Sequence, residues 1–553
     1  MAKIIIDNQE VECREGIYVL EAALDAGFDV PHYCYHPGLS VVASCRLCLM
    51  EMKMPDPKTR EMAWSPKLVP SCQTPVRDGM EVRFDSEAVR KNQKACMEFL
   101  LLNHPLDCPV CDQAGECLLQ DYSKRFGNAE SRMVDQKLVN PKKDIGPKTL
   151  LYVDRCILCT RCVRFAAEIS GTHELCIVNR GTNNEIDVFP GLPLDNPLQG
   201  NVVDICPVGS MLDKDFLFKQ RVWFLESTPS ICPGCAAGCS IRVDHNENVV
   251  CRLKPRYNPK VNDWWMCDEG RFGFKYVHDK KRIASPVVRR GLEEVTPNWE
   301  DIPGIVRFRF EEHVREKGAD KVVAVLSPFM ACEEAWLLIK FIRTVAPEAA
   351  LSMGPIPIEG EDQHFPVGAT GEAVASRGLK PARTGEAKFT ILKEKCPNRR
   401  GIEMLFEAAG GTTLAFDEFV ERSGKGEFTA AWIAGGYPKP WVDKDVGKLA
   451  AKFELLVVQD IFENDLTRGA AIVLPVCAWV EREGSFVNAA GLVQPFERAI
   501  DPPDGARRDG QYLYEIAGYK GLFTAERVRE LISETVAALA EVYEAPAKPV
   551  HAH

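Results

Sequence analysis

Nineteen of the chain's 22 cysteines fall in its first 267 residues, leaving only Cys332, Cys396 and Cys477 beyond. The most informative run is His104-Pro-Leu-Asp-Cys108-Pro-Val-Cys111-Asp-Gln-Ala-Gly-Glu-Cys117. A Cys-x2-Cys pair alone serves zinc, iron–sulfur clusters and redox dithiols alike. A histidine with three residues between it and such a pair, and a third cysteine after five more, is more restrictive. One imidazole and three thiolates suit tetrahedral zinc, or a cluster in which histidine replaces one cysteine. A lone histidine at this place would ordinarily read as a helix C-cap. With three cysteines at short fixed distances, His104, Cys108, Cys111 and Cys117 are instead expected to be four ligands of one centre.

Three further sets surround this one. Cys34, Cys45, Cys48 and Cys72 follow the spacing Cys-x10-Cys-x2-Cys-x23-Cys, which departs from the plant-type Cys-x4-Cys-x2-Cys and requires a longer first loop. The alternative for these four is a structural zinc site. Cys156, Cys159 and Cys162 begin the bacterial two-cluster template Cys-x2-Cys-x2-Cys-x3-Cys-Pro, in which the fourth cysteine of each run ligates the other cluster. Here the fourth position is Ala166, and counting back from Cys206-Pro207 the other run has Asn196, Gln199 and Val202. One cluster has lost all four ligands, and the other keeps Cys156, Cys159, Cys162 and Cys206. Cys232, Cys235 and Cys239, with Cys267 28 positions later, make the fourth set. Cys96 on a helix face, Cys176 and Cys251 read as structural.

The elements that must hold these residues are legible in part. Lys3–Ile6 and Glu10–Cys13 read as a hairpin turned at Asp7-Asn8, followed by a helix from Tyr18 that Gly27 caps. Ser86–Asn103 reads as a helix with Val89, Ala95, Cys96, Phe99, Leu100 and Leu102 on its apolar face, delivering His104 at its C-terminal end. Strands are expected at Ser240–Val243 and Val249–Leu253. Buried parallel strands are expected at Val322–Ser327, Thr429–Gly436, Leu455–Asp460 and Ala471–Pro475, in doubly wound α/β units. No GxGxxG or P-loop accompanies them. Thr524–Val542 reads as an amphipathic helix, with a fraying tail to His553.

Length allows several domains. A net charge of −11 argues against electrostatic nucleic-acid binding. The N-terminus has no basic-then-apolar signal and is too acidic for a transit peptide. The most apolar run, around Ala335–Ala346, carries Lys340 and Arg343, so no spanning segment is expected. In a reducing compartment clustered cysteines are metal ligands rather than disulfides.

The four sets in this order, in HYCYHPGLSVVASCRLC, HPLDCPVCDQAGEC, DRCILCTRCVRF, NVVDICPVGSM and CPGCAAGCS, resemble the large iron–sulfur subunit of respiratory NADH:quinone oxidoreductase, complex I. The resemblance covers roughly residues 1–280. It implies a 2Fe-2S cluster at the Cys34 set and a 4Fe-4S cluster at each of the His104, Cys156 and Cys232 sets. It also implies a flavoprotein partner that oxidises NADH, quinone-side iron–sulfur partners, and a peripheral place on the cytoplasmic face of the inner membrane, which the chain reaches only through those partners. The remainder resembles the molybdopterin-oxidoreductase fold, most recognisably at Val473–Pro475 and Glu481–Gln494. The expected order is a 2Fe-2S ferredoxin-like (β-grasp) domain over 1–80 and a one-His/three-Cys segment over 81–120. A half-degenerate 4Fe-4S ferredoxin domain follows over 121–225 and a cluster domain of molybdopterin-oxidoreductase type over 226–280. A degenerate α/β domain over 281–523 precedes a C-terminal helix and tail over 524–553.

No molybdopterin is expected. Formate dehydrogenases place lysine in a Cys-x-Lys-Gly element after the last cluster cysteine, where this chain has Cys267-Asp268-Glu269-Gly270, so an acid replaces the cation. No catalytic base or nucleophile stands out. The rival readings are the catalytic subunit of a formate dehydrogenase, an iron hydrogenase, and a zinc scaffold. An iron hydrogenase would keep both ferredoxin clusters.

Overall fold

The computed structural model describes residues 1–55, 61–291, 293–367 and 387–546. The first strand, Ala2–Ile6, alternates buried Ala2, Ile4 and Ile6 with exposed Lys3 and Ile5, the period-2 pattern of a half-buried strand. It pairs antiparallel with Gln9–Cys13 through a turn in which Asp7 and Asn8 both take positive φ, 46° and 65°, as a two-residue hairpin demands. The sheet continues through Glu81–Arg83, Leu49–Pro55 and Met62–Trp64, with Val69–Pro70 also on Leu49–Pro55. Helix Val19–Asp25 buries five residues against it, so the expected hairpin and helix are present.

Helix Glu87–Leu101 begins at Ser86, whose side chain accepts from the Val89 N–H. Its buried face is Val89, Gln93 and Met97. This differs from the expected apolar face: Ala95 is exposed, Phe99 is 73% exposed and Cys96 only half-buried. Spacing of four selects Val89, Gln93 and Met97, and the polar Gln93 hid that stripe from a reading of hydrophobicity.

Next, Thr149–Tyr152 pairs with Met211–Asp213 and Lys142–Asp144, and helices Arg161–Glu168 and Asn201–Ile205 pack together. A three-stranded meander follows, Glu226–Ile231, Ser240–Asn246 and Val249–Pro255.

The C-terminal half is an eight-stranded sheet in the order Glu293–Val295, Val287–Arg290, Ile472–Pro475, Leu455–Asp460, Ala430–Ala434, Val322–Leu326, Ala350–Met353, Thr413–Leu414. The last six are mutually parallel. Numbered along the chain they run 3-2-1-4-5-6, the doubly wound order. The four expected strands are its fully buried centre, because helices cover both faces. Ala324, Leu326, Trp432 and Ala434 point into one core, and Val323, Val325, Ala431 and Ile433 into the other.

The last helix spans only Ala525–Ser533, with a single 3-10 turn at Ala537–Leu539, shorter than the expected Thr524–Val542. Val536 leaves the helical region at φ −131°, and Leu539 returns to the core from that turn. The tail from 547 lies outside the described residues. Among the described residues no helix is long and apolar enough to cross a membrane.

Candidate metal centres

Among the described residues no group of three or more His, Cys, Asp or Glu side chains stands ready to hold a metal ion, although members of each set lie near one another. Cys34 Sγ lies 3.6 Å from Cys45 Sγ, in a loop where Ala43 and Arg46 take positive φ. The Tyr33 N–H points at Cys45 Sγ, 3.5 Å away. Cys72 arrives on the short turn Ser71–Gln73, which is tied to the Cys48 carbonyl by the Ser71 N–H and hydroxyl at 3.1 and 2.7 Å. Hydrogen bonds from Cys45 and Cys72 hold the Cys34 thiol well below its ordinary range, and the same bonds raise Cys45 and Cys72. Thiols this close must give up their protons when a metal centre binds them.

At the second set, Cys111 and Cys117 are buried and Cys108 is exposed on a short turn. Burial pushes the Cys117 thiol up to about 12. Burial, reinforced by Arg155 and Lys137, lowers His104 to about 4, so its imidazole is neutral and able to ligate at pH 7. The capping alternative fails on geometry: the carbonyls of Leu101 and Leu102 at the helix end accept from Lys137 Nζ at 2.7 and 2.8 Å. His104 Nδ1 is meanwhile buried with no hydrogen-bond partner among the described residues. Gly209 closes over this site, since a Cβ there would stand 2.2 Å from Cys111 Sγ. A buried imidazole nitrogen without a partner, and a Cys111 thiol under a side-chain-free cover, are what the chain offers a metal here.

Cys156, Cys159, Cys162 and Cys206 converge around helices Arg161–Glu168 and Asn201–Ile205, and the charge of each of the first, second and fourth raises Cys162 after burial does. Leu158 and Thr160 take positive φ, 52° and 62°, and the Leu158 N–H lies 3.4 Å from Cys156 Sγ. The N–H groups of Met211, Val208 and Ser210 turn toward the Cys206 sulfur. The four template positions that lack cysteine are filled differently. Ala166 and Val202 join the hydrophobic core, the Asn196 amide donates to Glu174 at 2.5 Å, and Gln199 accepts from the Lys148 N–H at 3.3 Å.

The fourth set is built on the meander: Cys232 N–H bonds the Cys239 carbonyl at 2.9 Å, and Cys267 caps the helix Asp268–Phe272. All four thiols are buried and raised by burial, Cys267 to about 12, with neighbouring thiols adding to the rise of Cys232, Cys239 and Cys267. N–H groups of Gly234 and Gly270 lie 3.4 Å from Cys232 Sγ and Cys267 Sγ. A Cβ on Gly270 would come within 2.7 Å of Cys232 Sγ, so this cover too must be glycine.

The cation expected to be missing beside Cys267 is supplied from elsewhere. An acid does replace it in the run Cys267-Asp268-Glu269-Gly270, but Lys395 reaches the same place from a distant loop, pairing with Glu269 at 2.6 Å and lowering the Cys235 and Cys267 thiols by its charge. The remaining cysteines stay outside the sets. Cys96, Cys176 and Cys251 contact backbone carbonyls, Cys332 contacts Asn398, Cys396 contacts Glu394, and Cys477 contacts the Arg507 carbonyl.

Residues that join the sets to one another were not foreseen. Arg155, 2% exposed, donates to Asp107 of the second set's loop at 2.6 Å and to the Gly209 carbonyl at 3.4 Å. Arg164 donates to the carbonyls of Cys34 and Cys159, and Arg161 to those of Tyr35 and Ile205. Glu116 makes a two-pronged bond to Arg252, both contacts 2.9 Å, and is near Lys254. Trp265 stacks on His36 at 5.5 Å and meets Phe165 at 5.1 Å, so one ring two residues before Cys267 touches the loop of the first set and a helix of the third. The one signal in the sequence was an arginine beside ligand cysteines in DRCILCTRCVRF.

Residues 1–87 match the family described as 2Fe-2S iron-sulfur cluster binding domain, and 93–132 match the NADH-ubiquinone oxidoreductase-G iron-sulfur binding region. Residues 146–212 match the NADH-quinone oxidoreductase subunit 3 ferredoxin-like domain. Residues 225–279 and 387–519 match the molybdopterin oxidoreductase Fe4S4 domain and molybdopterin oxidoreductase. Among solved structures, an NAD+-reducing [NiFe]-hydrogenase chain is 29% identical, with 40% of this chain and 91% of that one covered, at a TM-score of 0.35. Among curated relatives, NADH dehydrogenase [ubiquinone] iron-sulfur protein 1 of Solanum tuberosum is 40% identical over 52% of this chain and 37% of its own. The G subunit of the NADH-quinone oxidoreductase of Rickettsia felis is 28% identical over 94% of this chain and 87% of its own. For its counterpart in Rickettsia conorii the identity is 37%, over 94% of this chain and 88% of that one. A likeness held over almost the whole of both chains, with cluster-domain families matched in succession across all four cysteine sets, makes this chain a member of the family of NADH-quinone oxidoreductase G subunits.

Proposed function

We propose that Cys34, Cys45, Cys48 and Cys72 hold a 2Fe-2S cluster, and that three 4Fe-4S clusters are held by His104 with Cys108, Cys111 and Cys117, by Cys156, Cys159, Cys162 and Cys206, and by Cys232, Cys235, Cys239 and Cys267. The chain is an iron–sulfur electron-transfer subunit of an NADH-quinone oxidoreductase. Its flanking partners on this reading are a flavoprotein that oxidises NADH and the quinone-side iron–sulfur subunits, on the cytoplasmic face of the membrane. No molybdopterin is assigned to it.

The observation that supports this reading is the buried Nδ1 of His104, left without a partner among the described residues while Lys137 caps the helix in its place. An iron–sulfur cluster, when bound, accepts and releases one electron. Protein groups do the rest. Thiols and imidazole ligate, the N–H groups of Leu158, Gly234 and Gly270 face the sulfurs and favour the reduced state, and burial excludes water. Arg155, Arg161 and Arg164 place fixed positive charge between neighbouring sets, where it offsets the negative charge of the ligands. Iron analysis and electron paramagnetic resonance of the anaerobically purified chain test the assignment: about 14 irons are expected from one two-iron and three four-iron clusters. Stoichiometric zinc in place of iron would overturn it.

A further inference from the structure

The last two strands of the meander, Ser240–Asn246 and Val249–Pro255, gather positive charge on one face. Arg252, Lys254 and Arg256 alternate along the chain and so point to the same side. Arg256 extends the ladder by one residue, its N–H bonding the Ser240 carbonyl at 2.9 Å. Arg242 stands directly opposite Lys254 in the antiparallel register, as Asp244 stands opposite Arg252. The first of these is a like-charge pair, which destabilises a sheet unless something offsets it. Arg252 serves both acids within reach. It donates to Asp244 at 2.7 Å and makes the two 2.9 Å bonds to Glu116. Lys254 comes only to 3.3 Å from Glu116, and Arg242 to 3.5 Å from Asp244. Four cations therefore share two acids.

Three of these cations, Arg242, Lys254 and Arg256, line a cavity of about 180 Å³. Its other walls bring in Gln113 from the second set's loop and Tyr257, which stacks on Trp264 at 4.3 Å. Asp204 in the same wall is taken by Arg271. Of the Arg242 and Arg256 guanidiniums only the Nε atoms are sealed from solvent. Their terminal nitrogens are open and make no hydrogen bond among the described residues. Glu497 and Glu544 act on Arg256 by charge, from beyond ion-pair distance. Burial, with Arg252 and Arg242 adding to it, presses the Lys254 ammonium below its ordinary range against the pull of Glu116. Cys206 also borders the cavity, but the cation acting most on its sulfur is Arg161, so the meander cations are left for something else. The volume lies below the roughly 300 Å³ at which sites for drug-sized molecules begin, which makes the ligand small.

We propose that this cavity binds a compact oxyanion, held between the side chains of Arg242, Lys254 and Arg256. The proposal goes beyond the cluster assignment and rests on strand register, the charge count and the open guanidinium nitrogens. Two probes share this chemistry and separate its sources: inorganic phosphate, a tetrahedral ion, and malonate, a small dicarboxylate. Each is titrated by calorimetry into the oxidised full chain at physiological ionic strength. Saturable one-to-one binding of at least one probe is expected. Arg256→Gln should weaken it about tenfold, the loss of a hydrogen bond between charged groups, and Arg242→Gln by a similar factor. Should Arg242→Gln fail to fold, Arg256→Gln decides, since that side chain makes no hydrogen bond or ion pair among the described residues whose loss would disturb the fold. Absence of saturable binding by both probes, undiminished binding in Arg256→Gln, or equally tight binding of chloride would overturn the proposal. None of these outcomes bears on iron content, so the two readings fail separately.

Discussion

At the scale of single residues, His104 and Glu116 show how differently a ligand and its support announce themselves. His104 is visible from spacing, and its burial lowers the imidazole to about 4, below the usual 6.5, so the folded chain favours the neutral form. That contribution is fully present above pH 6.5 and is lost as pH falls toward 4. His104→Cys should retain a cluster with its potential lowered by on the order of 100 mV or more, since an anionic ligand stabilises the oxidised state. An unchanged potential in a redox titration would remove His104 from the ligand set. Glu116 carries no signal at all, because its partners Arg252 and Lys254 lie 136 and 138 positions away. Burial alone would raise its carboxyl, but Lys254 and Arg252 hold it at about 2. A depressed carboxylate stabilises the fold above its ordinary pKa near 4.5 and loses that contribution as pH falls toward 2. Glu116→Gln should therefore cost about 1.5–3 kcal/mol at pH 7, the value of hydrogen bonds to charged groups. It should also flatten the acid limb of stability in denaturant unfolding followed from pH 6 downward. An equally steep acid limb in the variant would show that Glu116 is not the group responsible.

At the scale of elements, what could be read and what could not divide by range. The hairpin at Asp7-Asn8, the parallel strands and the loops around each Cys-x2-Cys are set by neighbours a few residues apart, so the sequence displays them. The buried face of Glu87–Leu101 was missed because Gln93 holds a core position, and the length of the last helix because Val536 leaves it to seat Leu539. Hidden most completely was how the cysteine-bearing units meet. His36, Phe165 and Trp265 belong to three elements, and only the folded chain stacks them. Trp265 is 2% exposed, so Trp265→Leu would leave a void between those elements. The expected cost is about 3 kcal/mol, in the range for removing a large buried aromatic, plus the loss of two ring pairs. The readout is thermal unfolding together with limited proteolysis. Cleavage should appear first near His36 and Trp264, where the first unit lies against the meander, and an unchanged proteolytic pattern would show that the ring does not hold those units together.

At the scale of the whole molecule, the C-terminal half matches the molybdopterin oxidoreductase family over residues 387–519, and the proposal that it holds no pterin rests on its strands and its cysteines. Among the described residues it has one doubly wound sheet of six parallel strands, where a cofactor made of two dinucleotide-like halves calls for two such switch points. Each of its three cysteines is buried and already contacts a protein oxygen, Asn398 for Cys332, Glu394 for Cys396 and Arg507 for Cys477, with burial pushing Cys332 up to about 12. A thiol so held resists becoming the thiolate that a metal would need. Lys395 restores positive charge near Cys235 and Cys267, but Glu269 neutralises it at 2.6 Å, so the Cys232 set faces an ion pair rather than a free cation. The segment Phe389–Ile391, outside the parallel sheet, lies beside the fourth set, and the Ala236 N–H bonds the Glu394 carbonyl at 2.9 Å. We therefore expect molybdenum and tungsten to be absent from the purified chain by mass spectrometry, and acid release to yield no fluorescent pterin. Near-stoichiometric metal together with pterin would move the C-terminal half to the formate dehydrogenase class. Metal without pterin would point instead to adventitious binding at one of the cysteine sets, and Lys395→Met would separate the two. Loss of the lysine charge should shift the signal of the Cys232-set cluster to lower potential, because the reduced state loses a neighbouring cation, while leaving any adventitious metal content as it was.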